Sequence, residues 1–193
     1  MLNALRLDAD RAMLLLIDVQ TKLLPHVEGA AEMLSAVVQL IRGTRVFDLP
    51  ALATVQYVKG LGPTHPAIER LLKEYRVEPL EKAAFSTCGD EAVRERLRQI
   101  DRPQVIVTGI EAHVCVQQSV LDLSSMDYQV FVCADAVGSR KSLDRDTALA
   151  RMRASGAAVT TVEAVLFELC EFSGTERFKQ LLEVVREREK VMV

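Results

Sequence analysis

Residues 104–118 read Gln-Val-Ile-Val-Thr-Gly-Ile-Glu-Ala-His-Val-Cys-Val-Gln-Gln, and this stretch decides the fold. Its β-branched run ends at a glycine and passes into apolar residues at helical spacing, Val116, Val120 and Leu123. The pattern predicts a buried strand, a tight turn and a helix. Cys115 would lie in the first helical turn, where free backbone N–H groups and the helix dipole favour a thiolate. We therefore expect Cys115 to be a nucleophile with a pKa of roughly 3.5–7.5.

Length and composition predict a single domain over residues 1–193. The chain is 49% hydrophobic and has no Pro/Gly/Ser-rich linker that would divide it. Its net charge of -3 comes from interspersed charges without a basic stripe, so we expect no nucleic acid and no membrane as a partner, but a small-molecule substrate. The four cysteines form no C-x-x-C pair and no secretory signal is evident, which favours a cytoplasmic protein with reduced thiols.

Strands and helices alternate along the chain. Strands are predicted at 13–17, 50–55, 104–109, 128–134 and 157–161, with a weaker edge strand at 77–84 that Pro79 and two charged residues interrupt. Residues 56–64 are expected to form a loop, with Thr64 as the N-cap of the next helix. The alternation favours a three-layer α/β/α doubly wound sandwich with a mainly parallel six-stranded sheet in the order 3-2-1-4-5-6.

Three reactive side chains are expected to meet at the edge of this sheet. Asp18 and Cys115 follow strand ends that share one edge, where ligands bind in such folds. Taken singly, Asp18 could cap a helix, Lys82 could be a solvated lysine and Cys115 could be a packed small residue. Together they supply a proton acceptor, a cation and a nucleophile. The backbone N–H groups of Glu111 and Cys115 are candidates to stabilise an oxyanion.

In these residues the chain resembles the isochorismatase-like cysteine hydrolases. The matching segments are 15–20, 81–86, 108–116, 135–140 and 160–163, together with Gln-Tyr-x-x-Gly-Leu-Gly-Pro-Thr at 56–64, a pattern similar to the isochorismatase-domain-containing branch. The resemblance implies Asp18 as general base, Lys82 as the stabilising cation and Cys115 as nucleophile. It also implies a non-prolyl cis peptide at Ile110–Glu111 and a homo-oligomer.

Further residues are predicted to line or support the pocket. The predicted pocket residues are Gln20, Tyr57, Phe85 and His113. Because side chains two positions apart do not face each other on a helix, we favour a pocket-wall or solvated role for His113 over a catalytic pair with Cys115. Arg140 and Asp135 are expected to pair with each other.

Metal chemistry is not expected. The histidines, His26, His65 and His113, share no metal-ligand spacing, and residues 56–58 lack the Asp-x-His segment of the metal-dependent nicotinamidases that the chain otherwise resembles. We expect neither a metal nor another cofactor.

The sequence therefore predicts a metal-independent cysteine hydrolase that cleaves a small-molecule amide or related C–N bond through a thioester. The alternatives are a catalytically silent scaffold with the same fold and a redox-sensing thiol protein. An apolar stripe near the C-terminus, Phe178, Leu181, Leu182 and Val185, suggests spare apolar surface for assembly.

Overall fold

Two unbroken apolar runs form the centre of the sheet. The computed structural model describes residues 6–191, with side chains up to residue 187. Strand β1 (Ala12–Ile17) and strand β4 (Gln104–Ile110) are buried along their whole length. They pair in parallel, with Leu14 beside Ile106. Both faces of these strands are covered, which is why their sequences are continuously apolar instead of alternating.

Four further strands complete an all-parallel sheet. They are β2 (Ala51–Gln56), β3 (Leu80–Lys82), β5 (Gln129–Gly138) and β6 (Ala158–Thr160). The order is β3-β2-β1-β4-β5-β6, which confirms the predicted topology. Carboxyl ends of all six strands therefore lie at one edge, and the chain order reverses between β1 and β4.

Helices cover both faces of the sheet. In chain order they are α1 (Ala30–Val46), α2 (Val58–Leu61), α3 (Pro66–Glu74), α4 (Glu91–Ile100), α5 (Gln117–Ser125), α6 (Ser142–Ala154), α7 (Val162–Cys170) and α8 (Glu176–Val191). Helices α1, α3, α7 and α8 pack against one face with Leu14 and Leu16. Helices α4, α5 and α6 pack against the other with Met13 and Leu15. Each fully buried leucine contributes about 1.5–3 kcal/mol, so alternate residues of β1 stabilise opposite layers.

The segment between β2 and α3 differs from its prediction. Residues 56–64 contain the short helix α2 where a loop was expected. Helix α3 is capped by His65, whose Nδ1 accepts the Ala67 N–H at 3.3 Å, and not by Thr64. Thr64 instead forms an isolated antiparallel bridge with Gln20, which ties this segment to the chain after β1.

Strand β5 continues beyond its predicted end at residue 134. Its pairing with β4 shifts register between Val107 and Gly109, so extra residues of β5 bulge out and the strand then resumes to Gly138. Thr108 Oγ1 donates to the Ala136 carbonyl oxygen at 2.6 Å and stabilises the bulge. A prediction from the sequence pattern ends such a strand too early, because the bulge interrupts the regular alternation of side chains between the two faces.

The apolar stripe of α8 is largely used within the chain. Leu181 and Val185 are buried in the core layer that contains α1, and Phe178 lies edge-to-face against Phe167 with ring centroids 6.4 Å apart. The stripe is therefore not the spare surface that the sequence suggested. Within residues 6–191, no helix combines the length and the apolar character needed to cross a bilayer.

Candidate active site

Asp18 is the first residue after β1 and is held by the end of β2. Its backbone lies in the left-handed region, with φ of 52°, which aspartate tolerates better than most residues. The Asp18 N–H donates to the Thr54 carbonyl at 3.2 Å, and Thr54 Oγ1 donates to Asp18 Oδ1 at 2.8 Å. These contacts fix the carboxylate at the carboxyl edge of the sheet, where it has no solvent exposure.

Lys82, the last residue of the edge strand β3, points inward to this carboxylate. Its Nζ lies 2.7 Å from Asp18 Oδ2, and both side chains are 0% exposed. The ammonium also donates to Gln56 Oε1 at 2.6 Å and to the Phe85 carbonyl at 3.0 Å. A buried ion pair is tolerated when further hydrogen bonds satisfy its polar atoms. The ammonium and Asp18 Oδ1 have such partners, whereas Asp18 Oδ2 accepts no hydrogen bond from the described residues and has only the ion-pair contact.

A glycine allows β1 and β4 to approach each other beside Asp18. Gly109 has φ of 134°, and a Cβ there would lie 2.0 Å from the Ile17 carbonyl oxygen. A side chain is therefore excluded on both conformational and steric grounds. This close approach brings the end of β1 next to the turn that follows β4.

Cys115 lies in that turn. Residues Ala112–Val116 form one π-helical turn before α5, in which the Val116 N–H donates to the Glu111 carbonyl at 3.2 Å. Cys115 is therefore one turn earlier than the first turn of α5, where the sequence placed it. Ser119 Oγ donates to the Cys115 carbonyl at 2.7 Å, and the cysteine is 7% exposed. The Ile110–Glu111 peptide is cis, as the resemblance implied.

The resting thiol of Cys115 is protonated, contrary to the expectation of a lowered pKa. Burial, followed by the negative charge of Asp18, raises the pKa of Cys115 to about 12, and Lys82 opposes the shift without overcoming it. Lys82 does not overcome the shift because its ammonium lies 2.7 Å from the Asp18 carboxylate, which cancels most of its positive charge. The thiol is close enough to respond to both charges, which brings all three predicted residues into one cluster.

The predicted pocket residues occupy different environments. Tyr57 and Phe85 are 58% and 55% exposed, and Phe85 is tied to the cluster through its carbonyl contact with Lys82. His113 is partly buried, with Nδ1 2.9 Å from Ser139 Oγ. Gln20 is completely buried, and its amide nitrogen donates to the carbonyls of Gln56 and Gly62 at 2.9 and 2.6 Å. Gln20 therefore positions the end of β2 instead of lining an open surface.

Arg140 pairs with a different partner from the one expected. Its Nε lies 2.8 Å from Glu111 Oε1, whereas Asp135 Oδ1 accepts the Val162 N–H at the start of α7. The continuation of β5 past Asp135 explains the difference, since the strand carries Arg140 across to the turn after β4. Asp135 acts on the N-terminus of a helix, where a carboxylate is favourable.

Two residues of β2 contribute to the cluster and were not predicted. Thr54 donates to Asp18, and Gln56 accepts from Lys82 while its own N–H donates to Gln20 Oε1 at 2.8 Å. Both are polar residues at the carboxyl end of a strand that neighbours β1. Their position could have identified them from the sequence, because a polar residue in an otherwise buried strand requires a hydrogen-bond partner.

Across residues 6–191, no group of three or more His, Cys, Asp or Glu side chains is arranged to hold a metal ion. Independence from a metal ion stays a prediction.

Comparison with known proteins identifies the family. A model of the isochorismatase domain matches residues 12–164. The chain belongs to the isochorismatase domain family. Isochorismatase family protein 1A of Dictyostelium discoideum is 33% identical over 97% of this chain and 92% of its own length.

Two solved structures in the same comparison share this fold. The MAR1 ribonuclease of Caenorhabditis elegans has a TM-score of 0.88 and 33% identity, covering 94% of this chain and 92% of its own. YcaC of Pseudomonas aeruginosa, solved with hexane-2,5-diol and covalent acrylamide, has a TM-score of 0.89 and 26% identity, covering 100% and 98%.

Proposed function

We propose that this protein is a cysteine hydrolase that cleaves a small-molecule amide or related C–N bond through a thioester on Cys115. The observation that carries the proposal is the fully buried Asp18–Lys82 pair beside a protonated thiol. A carboxylate next to a thiol of high pKa can accept its proton when an electrophile is in position. The P. aeruginosa YcaC structure holds covalent acrylamide, which is compatible with a nucleophilic side chain in that relative.

The first half of the reaction forms the thioester. The Cys115 proton passes to Asp18 as Sγ attacks the amide carbonyl carbon, and the N–H groups of Glu111 and Cys115 stabilise the oxyanion. The C–N bond then breaks and the leaving amine takes the proton from Asp18. Lys82 keeps Asp18 anionic before the first transfer and after the second, and its positive charge stabilises the negative charge that develops at Cys115 and the substrate.

The second half hydrolyses the thioester. Asp18 takes a proton from water, the hydroxide oxygen attacks the acyl carbon, and the C–S bond breaks. The carboxylic acid product leaves, and the proton on Asp18 returns to the thiolate. Every proton transfer uses the same carboxylate, so no metal ion is required in the cycle.

The high pKa of Cys115 also weighs against the redox-sensing alternative. Oxidation by peroxide proceeds through the thiolate, which a pKa of about 12 keeps scarce at neutral pH. A scaffold without turnover is the remaining alternative, and it gains no support from two charges buried next to a thiol, because such a pair is costly to maintain.

The test is turnover of a panel of small amides by wild type, Cys115→Ala and Asp18→Asn, with intact mass recorded during turnover. Cys115→Ala should lose activity and the acyl adduct. Asp18→Asn should lose about 10²–10⁴-fold, the usual contribution of a general base. Cys170→Ala is the matched control, because this partly exposed thiol lies away from the cluster.

The same Asp18→Asn variant should react faster with iodoacetamide at Cys115. Removing the carboxylate removes one cause of the raised pKa and leaves Lys82 to favour the thiolate. Slower turnover with faster alkylation would separate a proton-transfer role from general damage to the site. Normal turnover by Cys115→Ala would refute the proposal. Incubating the same variants with RNA would show whether this protein has a ribonuclease activity like that named for the C. elegans relative.

We also propose that the chain assembles into a homo-oligomer. Large apolar side chains remain exposed at Leu143 and Phe172, and at Tyr57 and Phe85 beside the site. Light scattering at micromolar concentration should give a multiple of the monomer mass, and a monomer would contradict this.

A further inference from the structure

A cavity opens at the opposite edge of the sheet, beside the first half of β2. Strand β3 pairs with β2 at Thr54, Val55 and Gln56, so residues 51–53 have no neighbouring strand on that side. The resulting notch between the two helical layers has a volume of about 420 Å³. That size lies within the range of about 300–1,000 Å³ that is usual for small-molecule sites.

The floor of the cavity is apolar and its rim is cationic. Leu14, Leu52, Leu72 and the ring of Tyr75 are among the lining residues. The lining also includes four arginines from both helical layers: Arg45, Arg76, Arg96 and Arg102. Asp48 is the one carboxylate among the described lining residues. An apolar floor with charged groups around it selects a ligand that has an apolar body and negative groups at its periphery.

Most of the positive charge is not neutralised within the chain. Asp48 lies 3.8 Å from Arg45, and Arg45 also stacks over Tyr75 at 5.4 Å from the ring centroid. Among the described side chains, Arg76 and Arg102 form no ion pair, and Arg96 contacts only Gln99, at 3.5 Å. Three guanidinium groups therefore face the cavity or its rim without an anionic partner.

Helix ends do not account for this surplus. Helices α1, α3 and α4 end near the cavity, and arginines at helix C-termini are favourable in themselves. Each end carries about −0.5 of a charge. Against four arginines and one aspartate lining the cavity, three such ends leave about +1.5. The net charge stays positive and is available to an anion.

We propose that this cavity is a binding site for a small anion with a flat aromatic body, such as a nucleoside monophosphate or an aromatic dicarboxylate. Guanidinium groups bind phosphate and carboxylate in a bidentate manner and stack on aromatic faces, so the same side chains recognise both parts of such a ligand. Leu14 and Leu16 both line the cavity and lie four and two residues before Asp18 on a strand that rises about 3.3 Å per residue. The cavity wall therefore runs from about 13 Å to about 7 Å before Asp18, and none of the three proposed catalytic residues lines it.

Calorimetric titration tests the proposal, with AMP and phthalate as the anionic probes and adenosine as the uncharged one. Wild type should bind at least one anionic probe at millimolar concentration or below, with an affinity that falls as salt is raised. Arg96→Gln combined with Arg102→Gln should weaken that binding about tenfold or more. Arg153→Gln is the matched control, because it removes an exposed arginine from the last turn of α6, away from the cavity.

Three outcomes would overturn the proposal. The first is the absence of binding by both anionic probes, the second is equal binding by wild type and the double variant, and the third concerns Cys115→Ala. Cys115→Ala should bind the probes as wild type does, so this result is independent of the proposed catalysis. Loss of probe binding in Cys115→Ala would instead place the anion in the catalytic pocket and refute a second site.

Discussion

Charged side chains are buried and paired at one edge of the sheet, and are at least partly exposed and mostly without an anionic partner among the described side chains at the other. At the carboxyl edge, the side chains of Asp18 and Lys82 are completely buried and form an ion pair at 2.7 Å; Thr54 donates to Asp18, and Gln56 accepts from Lys82. At the amino edge, arginines surround an open cavity and most lack an anionic partner. A buried charge requires a partner within the chain, whereas a partly exposed charge is solvated and can bind an anion from solution. Mutating the buried pair should therefore cost stability, whereas the arginines at the amino edge can bind a ligand.

The largest effect should follow from breaking the buried pair. Lys82→Met leaves the Asp18 carboxylate buried without its cation, and removing one partner of such a pair typically costs about 3–5 kcal/mol. For a domain of this size each kcal/mol corresponds to about 2–4 °C in the thermal midpoint. Calorimetry of Lys82→Met should therefore show a loss of roughly 6–20 °C.

Two further variants make this result interpretable. The double variant Lys82→Met with Asp18→Asn removes both charges and should recover part of the lost stability. Lys179→Met breaks the exposed pair with Glu176 at 3.2 Å and should change stability by about 0–1 kcal/mol. Equal losses in Lys82→Met and Lys179→Met would mean that burial does not distinguish the two pairs.

The buried pair also shows where sequence reasoning succeeds and where it stops. The strand order and the position of Asp18 after β1 follow from apolar runs, because burial on both faces leaves a direct trace in the sequence, whereas Cys115 lies one turn before the predicted helix start. Lys82 lies on a strand whose charges argued for exposure, and it is nevertheless 0% exposed. Its burial depends on Asp18, 64 positions earlier in the chain, and no local pattern records such a partner.

The pKa of Cys115 illustrates the same limit. Local sequence predicted a thiolate from the proximity of a helix start and a lysine. The pKa is raised instead, first because the thiol is buried and second because Asp18 is nearby, while the charge of Lys82 is already paired with Asp18; burial and distances in the folded chain decide the sign. The bulge in β5 and the Arg140–Glu111 pair were missed for the same reason, since both depend on register between strands.

An effect of intermediate size on the free energy of unfolding should appear at alkaline pH, and it should come from Cys115 at the carboxyl edge. The folded pKa of Cys115 is raised to about 12 from an ordinary value of 9.0, so the unfolded chain releases its proton first. Stability from this group is complete below pH 9 and is lost as pH rises toward 12. At pH 10 the expected loss is about 1.4 kcal/mol.

Urea unfolding at pH 8 and pH 10 measures this contribution. Cys115→Ala should lose less stability between the two pH values than wild type does, by about the same 1.4 kcal/mol. Cys170→Ala is the control for removing a thiol outside the cluster. Titration of lysines and tyrosines is common to all three proteins and cancels. Identical pH dependence in wild type and Cys115→Ala would contradict the raised pKa.

The smallest effect is expected at the amino edge, and there the absence of a loss is informative. Arg96→Gln with Arg102→Gln removes two charges that have no anionic partner within the described side chains, so the free energy of unfolding should change by no more than about 0.5 kcal/mol. Repulsion between the like charges around the cavity favours a small gain over a loss. Urea unfolding at low salt gives the measurement, and Arg153→Gln again provides the baseline.

If the double variant lost several kcal/mol, the arginines would be structural partners of the helix ends, and the contrast between the two edges would disappear. If stability is unchanged while AMP or phthalate binding is weakened, the charges serve a ligand and not the fold.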